Sequence, residues 1–235
     1  MRESKINKEQ LVEQFGDKIS RLSHRMIWDK ELAKEAAQEV WYEILKSLDN
    51  FCSKSSISTW IYTISKRTIL KYAQNEKVLK STDLDTHFNQ ESIDYYGEEQ
   101  DKKDWVKEKC DYCLTAFCHC LTNDARLIFL FRDIAELTDS EIAQIMNLKE
   151  ENIRQIAFRS REKVKGFMNK DCVLINPQAN CRCRISKHVK YVELDKEYSK
   201  LSKAAGLIDL FKKFDKELPR KNYWEKIILE VVTGY

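Results

Sequence analysis

The stretch RDIAELTDSEIAQIMNLKEENIRQIAFRSREKVKGF, residues 132–167, decides how the second half of the chain folds. Thr138 stands three residues before Glu141, the spacing of a capping box that starts a helix. Asn147 follows a short apolar run and tolerates the left-handed conformation that ends a helix abruptly. A second helix is expected from about Glu150. Two short helices joined by a tight turn predict a helix-turn-helix.

The second of these helices has a strongly basic outer face. Residues 152–170 include six basic side chains and one acidic side chain. Arginine can donate two hydrogen bonds to guanine, glutamine can read adenine, and lysine holds phosphates. A solvated basic helix in a bundle is the alternative, but the capping, the turn and the charge favour DNA. The helical periodicity places five residues on the outer face of this helix: Arg154, Gln155, Phe158, Arg159 and Arg161.

Composition favours an all-α fold. Five glycines and two prolines among 235 residues are too few for the turns of a sheet protein. With 43% hydrophobic residues, the chain can form one or two domains with real cores. It has no run of 18 apolar residues and no apolar signal core at its N-terminus, so we expect a cytoplasmic protein without membrane insertion. The net charge of +3 is too small to indicate a partner.

The first half contains two amphipathic helices and a second basic stretch. One helix is expected from about Glu31, and another at roughly residues 57–77. Residues 62–80 include five basic side chains and one acidic side chain, with aromatic residues among or beside them. Rings interleaved with cations suit single-stranded nucleic acid, because bases stack on the rings. Trp60 and Tyr72 could equally be core residues.

Residues 81–104 separate the two halves. They include eight acidic residues and two lysines, with no sustained apolar period. This composition predicts an acidic, flexible linker.

Taken in order, these segments resemble the bacterial sigma factors of the extracytoplasmic-function type. The resemblance rests on EAAQEVWYEILKSLDNF, SISTWIYTISKRTILKY, the acidic linker and the helix-turn-helix, and covers roughly residues 10–168. It implies an all-α protein with two helical domains. The amphipathic pattern after residue 171, at about 206–215 and 223–232, adds a helical C-terminal extension. The expected boundaries are 1–80 for the first sigma domain, 81–104 for the linker, 105–170 for the second sigma domain and 171–235 for the extension.

The resemblance also implies an alternative sigma factor, which directs transcription initiation without being an enzyme. Its expected partners are core RNA polymerase, through the β′ and β subunits, promoter DNA and an anti-sigma factor. The first domain would contact the β′ coiled coil through Gln38, Glu39 and Tyr42, while Trp41 would pack inside. Its next helix would recognise the single-stranded −10 element through Trp60, Lys66, Arg67, Lys71 and Tyr72. The helix-turn-helix would read the −35 element as duplex.

The chain departs from the family pattern at several positions, which bear on the promoter sequence. Asn147 replaces the usual glycine of the turn, and Thr122 replaces a proline. Thr68 replaces an asparagine of the melting helix. In the recognition helix, an arginine and a leucine are replaced by Ile156 and Ala157.

The cysteines suggest a further role. No cofactor is required by the resemblance, but thiolates bind zinc and other thiophilic metals. Candidate ligands are Cys172, Cys181, Cys183 and Cys120. The alternatives are a redox switch, or thiols that are simply buried. On a continuous helix, Cys110, Cys113 and Cys120 would share a face.

Two other functions fit parts of the sequence. One is a helix-turn-helix regulator without sigma activity, and the other is a cysteine-based metal-binding or sensing protein. The regulator hypothesis does not explain the helix that contains Gln38 and Glu39, or the segment around Trp60. An enzyme has little support, since no nucleophile motif, phosphate loop or metal-spaced cluster stands out.

Overall fold

The computed structural model describes residues 7–80, 83, 111–172, 176, 178, 179 and 212, and its regular elements are all helical. The first three helices are α1 (Lys8–Met26), α2 (Lys30–Ser47) and α3 (Ile57–Tyr72). A helical segment at 111–118 comes next, and it is followed by α4 (Asn123–Asp133), α5 (Asp139–Met146) and α6 (Glu150–Asp171). Short 3-10 turns follow α2 and α3, at Leu48–Asn50 and Ala73–Asn75. Most of the predicted linker and extension lies outside the described residues.

The first three helices each begin at a side chain that caps the helix. The Asn7 side chain accepts hydrogen bonds from the amides of Glu9 and Gln10 at the start of α1. Asp29 accepts from the Leu32 amide at the start of α2, and Ser56 caps α3 in the same way. These bonds satisfy amides that have no partner inside the helix. The polar residues between the apolar runs therefore set the helix starts.

Helices α1, α2 and α3 pack against one another around an apolar core. The α2 side of this core is lined by small residues, Ala33, Ala36 and Ala37, which let the neighbouring backbones approach. Trp41 is only 1% exposed, which confirms that it is a packing residue. The other helices contribute large side chains that are buried, among them Phe15, Ile19, Leu22, Ile61 and Ile69.

The helix-turn-helix forms as predicted. Thr138 and Glu141 make the reciprocal bonds of a capping box at the start of α5. Asn147 ends α5 in the left-handed conformation, and α6 begins three residues later at Glu150.

The described residues divide into two compact units that do not follow chain order. One unit contains residues 7–76 and 130–153, so α5 belongs with α1, α2 and α3, and α3 packs directly against it. The other unit contains the remaining described residues, including most of α6. The domain boundaries expected from the sequence stay a prediction.

The second unit contains a buried arginine that hydrogen-bonds carbonyls at and just after the end of the helical segment 111–118. Arg126 is fully buried, and its guanidinium donates to the carbonyls of Cys118 and Leu121, both at 3.1 Å. Its third contact is with Nε2 of His119, at 3.3 Å. Because arginine has no acceptor, His119 must accept through an unprotonated nitrogen. Burial, and then the charge of Arg126, lowers the pKa of His119 to about 3.

This histidine should make the folded chain sensitive to acid. Its folded pKa lies below its ordinary value, so the unfolded chain takes up a proton first as the pH falls. His119 therefore contributes stability above about pH 6.5, and that contribution is lost as the pH falls toward about 3. Replacing His119 with Gln should remove up to about 1.4 kcal/mol per pH unit from the slope of unfolding free energy against pH. Urea unfolding followed by circular dichroism measures that slope.

The control is His24→Gln, which changes a partly exposed histidine of α1. It should leave most of the slope in place. An unchanged slope in His119→Gln would contradict the buried neutral histidine.

Candidate nucleic-acid and polymerase interfaces

The outer face of α6 is exposed and basic. Arg154, Gln155 and Arg159 are exposed, and Phe158 is 66% exposed although it is aromatic. Arg161 is partly buried. The opposite face is fully buried at Ile153, Ala157, Val164 and Met168, which fixes the rotation of the helix about its axis. The exposed face thus offers donors, an apolar ring and positive charge together, the groups that major-groove recognition uses.

The turn before α6 is closed by a Schellman motif. Asn147 has φ 55° and ψ 48°, and its amide contacts the carbonyls of Ala143 and Gln144. The Leu148 amide donates to the Ala143 carbonyl at 3.0 Å. Both bonds satisfy carbonyls left open at the end of α5. The turn geometry therefore depends on a residue that accepts the left-handed conformation.

The outer face of α2 carries the residues predicted to contact polymerase. Tyr42 is 51% exposed, and the Lys46 ammonium lies 5.5 Å from the centre of its ring. Gln38 and Glu39 are partly exposed on the same helix. An exposed aromatic ring beside polar groups is typical of a protein-binding surface.

The basic residues of α3 are placed in different surroundings. Arg67 is exposed and forms an ion pair with Glu43 of α2 at 3.1 Å, and Lys71 is exposed one turn further along. Trp60 is partly buried, with its ring centre 5.2 Å from that of Phe51. Tyr72 lies near α2: burial, then the charges of Glu39 and Glu35, raise the pKa of its hydroxyl.

Lys66 does not share this open surface. Its ammonium donates to the carbonyl of Ile145, in the last turn of α5, at 2.8 Å. Tyr62, one turn earlier in α3, is 1% exposed and packs edge-on against Phe15 and Phe131. Sequence reasoning missed this contact because Lys66 and Ile145 are 79 residues apart. Apolar periodicity marks the faces of a helix that are buried, and a lysine that faces α5 does not contribute to that pattern.

Comparison with known families places these surfaces in context. The Sigma-70 region 2 profile matches residues 11–78, which contain α1, α2 and α3. The Sigma-70 region 4 profile matches residues 119–166, which contain α4, α5 and most of α6. The chain belongs to the sigma-70 family. It is an RNA polymerase sigma factor of the extracytoplasmic-function type, and such a factor binds core polymerase and promoter DNA to direct transcription initiation.

Several known sigma factors are similar to this chain over most of their own length. A Haemophilus influenzae protein named "Probable RNA polymerase sigma factor" is 25% identical over 171 residues, covering 68% of this chain and 88% of the relative. The Bacillus subtilis sigma factor YlaC is 26% identical, covering 69% and 92%. SigM of the same organism, an extracytoplasmic-function sigma factor, is 22% identical, covering 69% and 95%. None of the helices in the described part of the sigma factor is long and apolar enough to cross a membrane.

The structure places only part of the predicted metal-ligand set. Cys120 lies beyond the end of the helical segment 111–118, is 1% exposed, and burial raises its pKa to about 11. Its thiol is therefore protonated near neutral pH, whereas a metal binds the thiolate. Cys172 is partly exposed, and Cys181 and Cys183 lie outside the described residues. Within the described ranges, no three Cys, His, Asp or Glu side chains are grouped to hold a metal.

Substitutions at the turn should test its left-handed residue. Asn147→Ala should lower the free energy of unfolding by about 1 kcal/mol, because a Cβ without a compensating polar group is strained in that conformation. Asn147→Gly should be neutral or stabilising. Thermal unfolding measures both variants against Asn152→Ala, an exposed asparagine within α6. Equal stabilities for the alanine and glycine variants at Asn147 would be inconsistent with the turn.

Thiol labelling should separate the buried cysteines from the exposed one. Cys52 is exposed, whereas Cys118 and Cys120 are buried. In the native protein, iodoacetamide should modify Cys52 at least about tenfold faster than either buried thiol, because access and thiolate character both control the rate. Peptide mass spectrometry measures the three rates, and denaturant should make them converge. Rapid native labelling of Cys120 would contradict its position in the core.

Proposed function

We propose that this sigma factor divides its work between two exposed faces. The face formed by α2 and α3 binds the β′ coiled coil of core polymerase and captures the opened −10 strand. The face of α6 reads the −35 element as duplex. The observation that carries the proposal is the exposure of polar, aromatic and basic side chains on helices whose opposite faces are fully buried.

The α6 face suits base recognition in a major groove. Arg154 and Arg159 can each donate two hydrogen bonds to a guanine, and Gln155 can pair with an adenine. The exposed ring of Phe158 suits contact with a thymine methyl group. Arg161 is partly buried and is better placed to approach a phosphate. Sequence specificity would therefore come from four side chains, with Arg161 adding affinity.

The α3 face suits a single strand. Arg67 and Lys71 are exposed cations that can follow the phosphates, and Trp60 and Tyr72 are partly exposed rings on which bases can stack. The Arg67–Glu43 ion pair joins this surface to α2. Polymerase binding at Gln38, Glu39 and Tyr42 would therefore lie beside the captured strand.

The remaining assignments follow the family. We propose that residues 1–80 and 105–170 act as the two sigma domains, that the β subunit contributes further contacts, and that the factor works in the cytoplasm. Catalysis belongs to the polymerase, and no cofactor takes part. An anti-sigma partner, and zinc or another thiophilic metal at Cys172, Cys181 and Cys183, are separate hypotheses. Elemental analysis of the purified protein tests the metal.

Two double variants should separate polymerase binding from promoter reading. Gln38→Ala with Glu39→Ala should weaken co-elution with core polymerase and abolish run-off transcription from the DNA upstream of the gene. Arg154→Ala with Arg159→Ala should spare co-elution but lower specific initiation at least about tenfold, since each bidentate contact contributes about 1–3 kcal/mol of discrimination.

The matched control is Glu31→Ala with Lys34→Ala, which removes an ion pair of 3.9 Å at the start of α2. It should change neither result. Undiminished core binding by the Gln38 and Glu39 double variant would refute the α2 contact. Undiminished specific initiation by the Arg154 and Arg159 double variant would refute the role of α6.

A further inference from the structure

The contact between α3 and α5 holds Lys66, the one residue of the predicted −10 face that is not on the open surface of α3. Ile145 lies in the last turn of α5, where carbonyls have no partner inside the helix and carry the negative end of the helix dipole. The Lys66 ammonium supplies the missing donor at 2.8 Å. A lysine held in this way cannot also direct its ammonium toward a phosphate.

Tyr62, one helical turn before Lys66 in α3, also stabilises the packing around this contact. Its ring centre lies 5.9 Å from that of Phe15 in α1 and 5.5 Å from that of Phe131 in α4, both at edge-on angles. The ring thus joins α3 to α1 and to the end of α4 within one compact unit, in which α3 also packs against α5. Aromatic pairs of this geometry are favourable beyond the area that they bury.

One buried polar group at this contact destabilises it. The Tyr62 hydroxyl is buried and has no hydrogen-bond partner. The negative charge of Glu141 lies close enough that it adds to the rise in the hydroxyl's pKa caused by burial. A buried hydroxyl without a partner favours separation of the surfaces, because water would satisfy it. The packing is therefore suited to reversible opening.

We propose that α5 and the opened promoter strand compete for the same face of α3. In the closed state, α5 holds Lys66 and covers Tyr62, so that single-stranded DNA meets Arg67, Lys71 and the two rings but not Lys66. Opening of the α3–α5 contact frees Lys66 and completes the strand-binding face. This inference rests on the proposed role of α3, and it adds that the free factor suppresses that role through its own helix-turn-helix.

Lysine acetylation of the full-length protein tests the closed state directly. Lys71 serves as the internal reference, since it lies on the same helix and is exposed. In the free wild-type protein, acetic anhydride should modify Lys66 at least about fivefold more slowly than Lys71, as expected for a side chain held in a native contact. Peptide mass spectrometry measures both rates. Equal rates would overturn the closed state.

Two buried phenylalanines of α4 provide a matched pair of variants. Phe131→Leu removes the edge contact with Tyr62 but keeps an apolar side chain, and should bring the Lys66 rate toward that of Lys71. Phe129→Leu makes the same change at an equally buried position assigned to the other unit, and should not. Tyr62→Phe removes only the unpaired hydroxyl and should slow Lys66 further. It keeps the test informative if Phe131→Leu proves unstable.

Run-off transcription from the DNA upstream of the gene maps the start site, and a fluorescent single-stranded oligonucleotide that covers the bases around position −10 from that start tests the competition. Phe131→Leu should bind it several-fold more tightly than the wild type, whereas Phe129→Leu should match the wild type. Tyr62→Phe should bind it more weakly. Faster Lys66 acetylation in Phe131→Leu without tighter binding would overturn the competition.

The two proposals can fail separately. Lys71→Met in the holoenzyme tests the role of α3 in promoter opening, independently of α5. Loss of opening together with equal acetylation rates in the free protein would keep the strand-binding role and discard the closed state. Normal opening together with a protected Lys66 would discard the strand-binding role, and the competition with it.

Discussion

The left-handed residue at the end of α5 is the constraint on which the helix-turn-helix depends. Asn147 turns the backbone immediately after Met146, so that α6 can begin at Glu150. Without that turn, α5 would continue, and the Ile145 carbonyl would accept from an amide of the next helical turn instead of from Lys66. The turn therefore has two consequences: it aims the basic face of α6 outward, and it leaves the Ile145 carbonyl where Lys66 can reach it.

Local patterns in the sequence predicted the elements well, because their causes are local. The capping box at Thr138, the stop at Asn147 and the start at Glu150 each depend on residues within one turn of the helix. The inward position of Trp41 followed from helical periodicity in the same way. The exposed side of α6 could also be predicted, since its apolar residues recur at the spacing of one helix face.

Contacts between distant segments could not be predicted from those patterns. Nothing in the periodicity of α3 distinguishes Lys66, which meets α5, from Lys71, which is exposed. Arg126 looks like a surface residue in the sequence, yet it is fully buried and joins three groups at the end of a neighbouring helical segment. Cys120 was expected to continue the face of a helix that ends at Cys118. In each case a partner outside the local window determines the environment.

Two of the five departures from the family pattern, Thr68 and Ala157, fall on inner surfaces, whereas Thr122 and Asn147 are exposed. Ala157 is fully buried and Thr68 is 5% exposed, so both changes act first on packing. Ile156 is partly buried and lies between the inner and outer faces of α6. A smaller residue at 157 lets the recognition helix lie closer to its own core, which can alter the angle of the outer face. The promoter preference should then depend on Arg154, Gln155, Phe158 and Arg159 for chemistry, and on Ala157 for the orientation of that set.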